Sequence, residues 1–141
     1  MDADQIIADL RLQPHPEGGY YRQTWVDETG PDRPSGTCIY FLLKAGQSSH
    51  WHKVDAVEIW HFYAGTPLTL KIAATDDGPA QHLTLGSDLD AGQTPQAIVP
   101  KDHWQAAAAP NGWALVGCTV SPGFQFDGFT LAGPEFDIPR S

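Results

Sequence analysis

The chain has 141 residues, with 17 Asp and Glu against 8 Lys and Arg, which gives a formal net charge of −9. This acidic balance repels phosphate backbones and argues against nucleic acid as a partner. No apolar run approaches the roughly 18 residues that a membrane-spanning helix needs, and residues 1–10 lack the charged and apolar regions of a signal peptide. We therefore expect a cytoplasmic protein that has no membrane partner and forms a single domain over residues 1–141.

The apolar pattern predicts one short helix followed by many short strands. Ile6, Ile7 and Leu10 recur at helical spacing within residues 2–10. Asp76-Asp77-Gly78 and Asn111-Gly112 are both hairpin signals. About eight to ten strands at this spacing favour a sandwich or a barrel. They are predicted near residues 20–25, 37–43, 49–54, 57–63, 67–73, 80–85, 96–99, 103–109, 113–120 and 124–131.

The segment from Gly46 to Gly65 carries the strongest functional signal. His50 and His52 share one face of the predicted strand if that strand is regular, because strand side chains alternate with a period of two. Glu58 shares one face of the next predicted strand with Trp60 and Phe62, and we expect that face to be the inner one, the alternative being a surface Glu58. Imidazole and carboxylate groups that converge inside a barrel form either a metal site or a proton-transfer site.

This spacing of His50, His52, Glu58 and Gly65 resembles the first motif of the cupin superfamily. The gap between His52 and Glu58 is longer than the motif usually has, which favours a bulge or an extended loop, and such a bulge could turn His50 outward. In the second motif, Gln105 stands where the metal-binding His normally falls. Its neutral amide oxygen is a weak ligand for transition metals compared with imidazole.

Five segments together resemble the cupin-5 family, the domain of unknown function 985, over about residues 10–132. They are LQPHPEGGYYRQTW, IYFLL, WHKVDAVEIWHFYAGTPL, VPKDHWQAA and LVGCTVSPGFQFDGFTLA. The resemblance implies an all-β fold, a double-stranded β-helix of the jelly-roll, RmlC-like cupin barrel type, with a short N-terminal helix. It also implies a homodimer. It implies no reaction, because the family is chiefly one of unassigned function.

Further residues are candidates for the walls or the mouth of the pocket. In the segment PHPEGGYY, two prolines and two glycines favour a rigid start to the first strand. The alternative is that His15, Glu17, Tyr20 or Arg22 lies at the pocket mouth or at the dimer interface. Trp60 shares the face of Glu58 and is expected to form a pocket wall.

Three functions stay open, and all of them place a small polar ligand in the barrel. The first is a metal-independent epimerase or isomerase in which His52 carries the proton, Glu58 orients it and Gln105 bonds the substrate. The second is a metal-dependent dioxygenase or isomerase, with a divalent metal held by His50, His52, Glu58 and Gln105. The third is a non-catalytic binding or sensor protein. The cofactor is accordingly either absent or a divalent metal.

Overall fold

The computed structural model describes residues 1–28 and 30–140, and most of its regular structure is β. One helix precedes the strands. Its bounds and theirs are α1 (Ala3–Leu10), β1 (Gln13–Pro14), β2 (Tyr20–Val26), β3 (Thr37–Leu43), β4 (Ser48–Val54), β5 (Val57–Gly65), β6 (Leu68–Ala73), β7 (Gln81–Leu85), β8 (Gln96–Val99), β9 (Trp104–Ala108), β10 (Ala114–Ser121) and β11 (Phe129–Leu131). The predicted all-β double-stranded β-helix with a short N-terminal helix is confirmed.

The strands form two antiparallel sheets that face each other. The first sheet has the order β1-β2-β3-β10-β5-β8, and the second has the order β11-β4-β9-β6-β7. Phe41, Trp60 and Val116 of the first sheet pack with Leu70 and Ala107 of the second in one buried cluster. Because side chains alternate between the faces of a strand, this shared core fixes which residues point between the sheets.

Helix α1 covers part of the outer face of the first sheet. Asp2 and Gln5 form a capping box, in which each side chain accepts the backbone N–H of the other residue, at 2.8 and 2.9 Å. Ile6 is buried in a cluster with Leu12 of the following turn and Leu42 of β3. The part of the outer face that carries Tyr20, Tyr40 and Leu42 is therefore packed against the helix.

Two local predictions at the turns have opposite outcomes. The Asp76-Asp77-Gly78 segment joins β6 to β7, which pair antiparallel, so the predicted hairpin is confirmed. The Asn111-Gly112 hairpin is wrong, because β9 and β10 belong to different sheets and this turn carries the chain across the barrel. The strand predicted at 124–131 is shorter than expected, since Phe126–Gly128 form a 3-10 turn before β11.

The last described segment, residues 132–140, packs across the outer face of the second sheet. The indole N–H of Trp51 donates to Asp137 at 2.9 Å, and the backbone N–H of Ala80 donates to the carbonyl of Pro139 at 2.8 Å. Ile138 is buried in a cluster with Trp51 and Trp104. In residues 1–28 and 30–140, no helix is both long enough and apolar enough to cross a membrane.

Candidate functional site

A cavity of about 170 Å³ lies between the two sheets. Strands β2, β3, β5 and β10 of the first sheet and β4 of the second supply most of its walls, and the segments before β2 and β11 supply the rest. Its lining residues are His15, Glu17, Tyr21, Gln23, Thr37, Ile39, His52, Val54, Glu58, Cys118, Val120, Phe124 and Phe126.

A glycine turn brings Glu17 to the cavity. Gly18 and Gly19 both have positive φ, +106° and +80°, a conformation that favours glycine. A Cβ on Gly18 would lie 2.4 Å from the carbonyl oxygen of Ser48, so only glycine permits this approach to β4. The backbone carbonyl of Glu17 accepts the N–H of His50 at 2.8 Å, which ties the turn to that strand.

The Glu17 carboxyl contacts two imidazoles and one hydroxyl. Its Oε1 lies 3.3 Å from Nδ1 of His15, and its Oε2 lies 3.3 Å from Nε2 of His52. The Ser49 hydroxyl donates a short hydrogen bond to the same Oε2. Burial raises the pKa of Glu17 to about 8, and the hydrogen bond from Ser49 offsets only part of that rise. The carboxyl is therefore largely protonated at neutral pH.

His52 is held in one tautomer by its own strand. Its Nδ1 lies 2.7 Å from the carbonyl oxygen of His50, and because a carbonyl only accepts, Nδ1 carries the hydrogen. The Nε2 atom that faces Glu17 then has a free lone pair while the ring is neutral. Burial lowers the pKa of His52, although Glu58 acts in the opposite direction. The contact between His52 and Glu17 is thus one between a carboxylic acid and a neutral imidazole.

His15 is neutral for similar reasons. Its Nδ1 accepts the backbone N–H of Glu17 at 3.1 Å, so this nitrogen carries no hydrogen. Burial, helped by nearby His52, lowers the pKa of His15 to about 4. Its ring stacks edge-on against Tyr21, with the ring centroids 4.5 Å apart.

The Glu58 side chain points into the cavity from β5, and a hydrogen bond from Gln105 fixes its carboxyl group. Its Oε1 accepts the side-chain N–H of Gln105 at 2.9 Å, and Cys118 of β10 lines the cavity beside it. Burial raises the pKa of Glu58 to about 7, with His52 and Glu17 acting in opposite directions. Glu17, which is largely protonated at neutral pH, and Glu58, which is about half protonated at pH 7, thus share one cavity with two neutral imidazoles.

Gln105 and Trp60 lie behind the cavity, so two expectations are corrected. The Gln105 side-chain oxygen accepts the indole N–H of Trp60 at 2.8 Å, and its NH₂ group is used by Glu58. Trp60 is only 1% exposed and packs edge-on against Phe41 in the core. It does share the face of Glu58, but it sits further along the strand, where the opposite sheet closes over it.

Tyr20 and Arg22 also lie outside the cavity, because they point to the outer face of β2. The Arg22 Nε donates to the carbonyl of Leu10 at 2.7 Å. Tyr20 packs in the cluster that α1 forms on that face. Their neighbours in the alternating strand, Tyr21 and Gln23, line the cavity instead. Tyr20 and Arg22 therefore do not line the cavity, and their alternative place at a dimer interface stays a prediction.

The four predicted metal ligands do not converge. The pairing of β4 shifts in register between Ser49 and His52, and His50 turns to the outer face, where its Nε2 bonds the Gly133 carbonyl at 2.7 Å. The side-chain oxygen of Gln105 already accepts the indole N–H of Trp60. Among the described residues, no group of three or more His, Cys, Asp or Glu is arranged to hold a metal. The donor set predicted from the motifs does not fit a metal ion.

Aromatic side chains form the wall nearest to solvent. Phe124, Phe126 and Phe129 contact one another, with ring centroids 5.0 to 5.9 Å apart. Phe126 is 53% exposed, which places it at the mouth of the cavity. Ser49, Cys118 and these phenylalanines were not among the predicted site residues. Only the period-two pattern of their strands could have indicated Cys118 as inward-facing.

Comparison with known proteins agrees with this fold. Protein SO0799 from Shewanella oneidensis is 43% identical with a TM-score of 0.88, over 94% of this chain and 85% of that one. A hypothetical protein from Leishmania major is 30% identical with a TM-score of 0.83, over 94% and 88%. Oxalate decarboxylase from Bacillus subtilis is 16% identical with a TM-score of 0.66, over 84% and 29%, and this likeness concerns the fold alone.

None of the curated proteins matches this sequence. The family model Cupin_5, described as Cupin superfamily (DUF985), matches residues 4–132. That range includes β1 to β11 and every residue that lines the cavity. The chain therefore belongs to the Cupin_5 family (DUF985) of the cupin superfamily.

Proposed function

We propose that the cavity binds a small polar molecule and moves protons on it, as an epimerase or isomerase does without a metal. The observation that carries this proposal is the contact of 3.3 Å between the Glu17 carboxyl and the lone pair of His52 Nε2. A neutral base and a protonated acid side by side are the groups that general acid–base catalysis needs. Glu58, raised to a pKa of about 7, is a second group of this kind on the same cavity.

The roles follow from the hydrogen bonds of each group. His52 is the base, because its Nδ1–H is anchored on a carbonyl and its Nε2 can accept a proton from carbon next to a substrate carbonyl. Glu17 gives its proton to the substrate oxygen, so that an enol forms with no net change in charge. Return of the proton to the opposite face of the same carbon, with loss of the enol proton, completes an epimerisation. Return of the proton to the neighbouring carbon completes an isomerisation.

Replacing His52 with Gln is expected to abolish proton exchange while the fold is retained. The assay incubates the protein in D₂O with a panel of 2-hydroxy aldehydes, 2-hydroxy ketones and 2-amino ketones, and follows loss of the carbon-bound proton signal by NMR. Because a general base contributes about 10²- to 10⁴-fold, the variant should lose at least about 10²-fold in rate.

His50→Gln is the matched control, since it makes the same change two residues away on the outer face of the sheet. It should exchange at the rate of the unaltered protein. Equal exchange by the His52 and His50 variants would contradict the role given to His52.

The second candidate is a binding protein without turnover. It is favoured by one observation, namely that Glu17 and Glu58 already have hydrogen-bond donors from the protein, Ser49 and Gln105. A ligand that binds in the cavity and shows no exchange with the unaltered protein would favour this candidate.

A further inference from the structure

We propose that the ligand of this cavity carries a positive charge, as an amine or ammonium group. The inference deepens the proposed function and rests on it only in taking the same cavity as the binding site. It is carried by the carboxyl groups and aromatic rings that line the cavity and by the lack of a lysine or arginine among the described residues that line it.

The cavity offers carboxyl groups and no cationic side chain. Glu17 and Glu58 line it, whereas none of the eight lysines and arginines does, and all eight are within the described residues. Several of these cations have partners elsewhere: Arg22 on the Leu10 carbonyl, Arg33 on Asp55, Lys44 on Asp4 and Lys53 over the ring of Trp104. An anionic ligand would meet two acids and no counter-charge, at a desolvation cost that nothing in the cavity offsets.

Aromatic rings complete the environment that a cation prefers. Tyr21, Phe124 and Phe126 line the same cavity as the two glutamates. A cation over a ring face, within about 6 Å of its centroid, gains roughly 0.5–2 kcal/mol, and the gain is largest where water is excluded. The chain's net charge of −9 also attracts cations and repels anions as they approach.

A cation would change the protonation of the cavity when it binds. The Glu17 carboxyl faces His15, His52 and Ser49, and the Glu58 carboxyl faces His52, Gln105 and Cys118. The imidazoles are neutral and the remaining groups are uncharged, so a ligand cation is the counter-charge that lets a glutamate ionise. Binding should therefore release protons and tighten as the pH rises towards 8.

The test uses three probes that share one ring and differ in charge: benzylamine, benzyl alcohol and benzoate. A cavity of about 150 Å³ is large enough to hold benzene, so the ring is a reasonable size for this one. Isothermal titration calorimetry at pH 6.5 and pH 8 measures affinity, and two buffers of different ionisation enthalpy give the number of protons released.

We expect benzylamine to bind about tenfold more tightly than benzyl alcohol, and benzoate not to bind. The affinity for benzylamine should rise with pH by at most about tenfold per unit for each proton released. Glu17→Gln and Glu58→Gln should each weaken the amine and leave the alcohol unchanged. Glu135→Gln, the same change outside the cavity, should alter neither.

Three results would overturn the inference: the alcohol binding as tightly as the amine, benzoate binding more tightly, or no binding of the amine. The first two would still leave a binding cavity and therefore the proposed function. Failure of the D₂O exchange assay, by contrast, would count against proton transfer and would not affect the charge preference.

Discussion

Replacing Gln105 with Ala should lower the free energy of unfolding by about 3–5 kcal/mol. The substitution empties a fully buried position and removes two hydrogen bonds at once. The Glu58 carboxyl loses its amide donor at 2.9 Å, and the indole N–H of Trp60 loses its acceptor at 2.8 Å. A buried polar group without a partner costs about 1–3 kcal/mol, so the two losses add to the cavity term. Urea unfolding at pH 7 measures the change.

Gln81→Ala is the matched control, because Gln81 is an exposed residue on β7. An exposed substitution of this kind should change stability by no more than about 0.5 kcal/mol. If Gln105→Ala lowers the free energy of unfolding by less than about 1 kcal/mol, the hydrogen bonds of Gln105 with Trp60 and Glu58 do not stabilise the fold as predicted.

Glu17→Gln should become more stable relative to the unaltered protein as the pH rises from 6.5 to 8, by about 2 kcal/mol. The pKa of Glu17 is raised from 4.5 to about 8 in the folded chain. Between these values the folded state keeps a proton that the unfolded state has lost, and the free energy of unfolding falls as pH rises. Glutamine removes this dependence while it keeps an oxygen that can accept from Ser49.

The measured pH range begins at 6.5 because, below that pH, the histidines change the free energy of unfolding in the opposite direction to the glutamates. The pKa of His15 is lowered from 6.5 to about 4, and that of His52 is lowered as well. Below pH 6.5 the unfolded chain gains protons on these residues, which offsets the protons that the folded chain holds on Glu17 and Glu58. Above pH 6.5 this compensation ends.

Urea unfolding at half-unit steps of pH measures both proteins, with Glu135→Gln as the control that should show a constant difference. A constant difference for Glu17→Gln over the same range would contradict a protonated Glu17. It would mean that the folded state already holds this carboxyl ionised at pH 6.5.

Much of the fold and part of the site follow from local patterns in the sequence. The apolar runs predicted the helix and most of the strands, because a strand between two sheets must be apolar on its inner face. The period of two placed Glu58 and Trp60 on one face of β5, and the structure has them so. How the two sheets pack against each other is not a local property of the sequence. The pattern therefore did not show that Trp60 is buried in the core while Glu58 lines the cavity.

The remaining site residues depend on packing between distant segments. Tyr20 and Tyr21 are equally aromatic, and only the helix that covers the outer face of β2 decides which of them turns inward. The amide of Gln105 takes its direction from Trp60, which is 45 residues away in sequence. The homodimer that the resemblance implies stays a prediction.

The alternation of the chain between the two sheets has a consequence for folding. Apart from β1 to β3 and the β6–β7 hairpin, consecutive strands lie in opposite sheets, so a stretch of neighbouring strands cannot complete a sheet alone. Contacts of long sequence separation slow folding and make it cooperative. We therefore expect the strands that carry the titratable groups of the cavity, which come from both sheets, to separate mainly through unfolding of the whole barrel. Backbone amides on β4, β5 and β10 should then share one slow rate of hydrogen exchange.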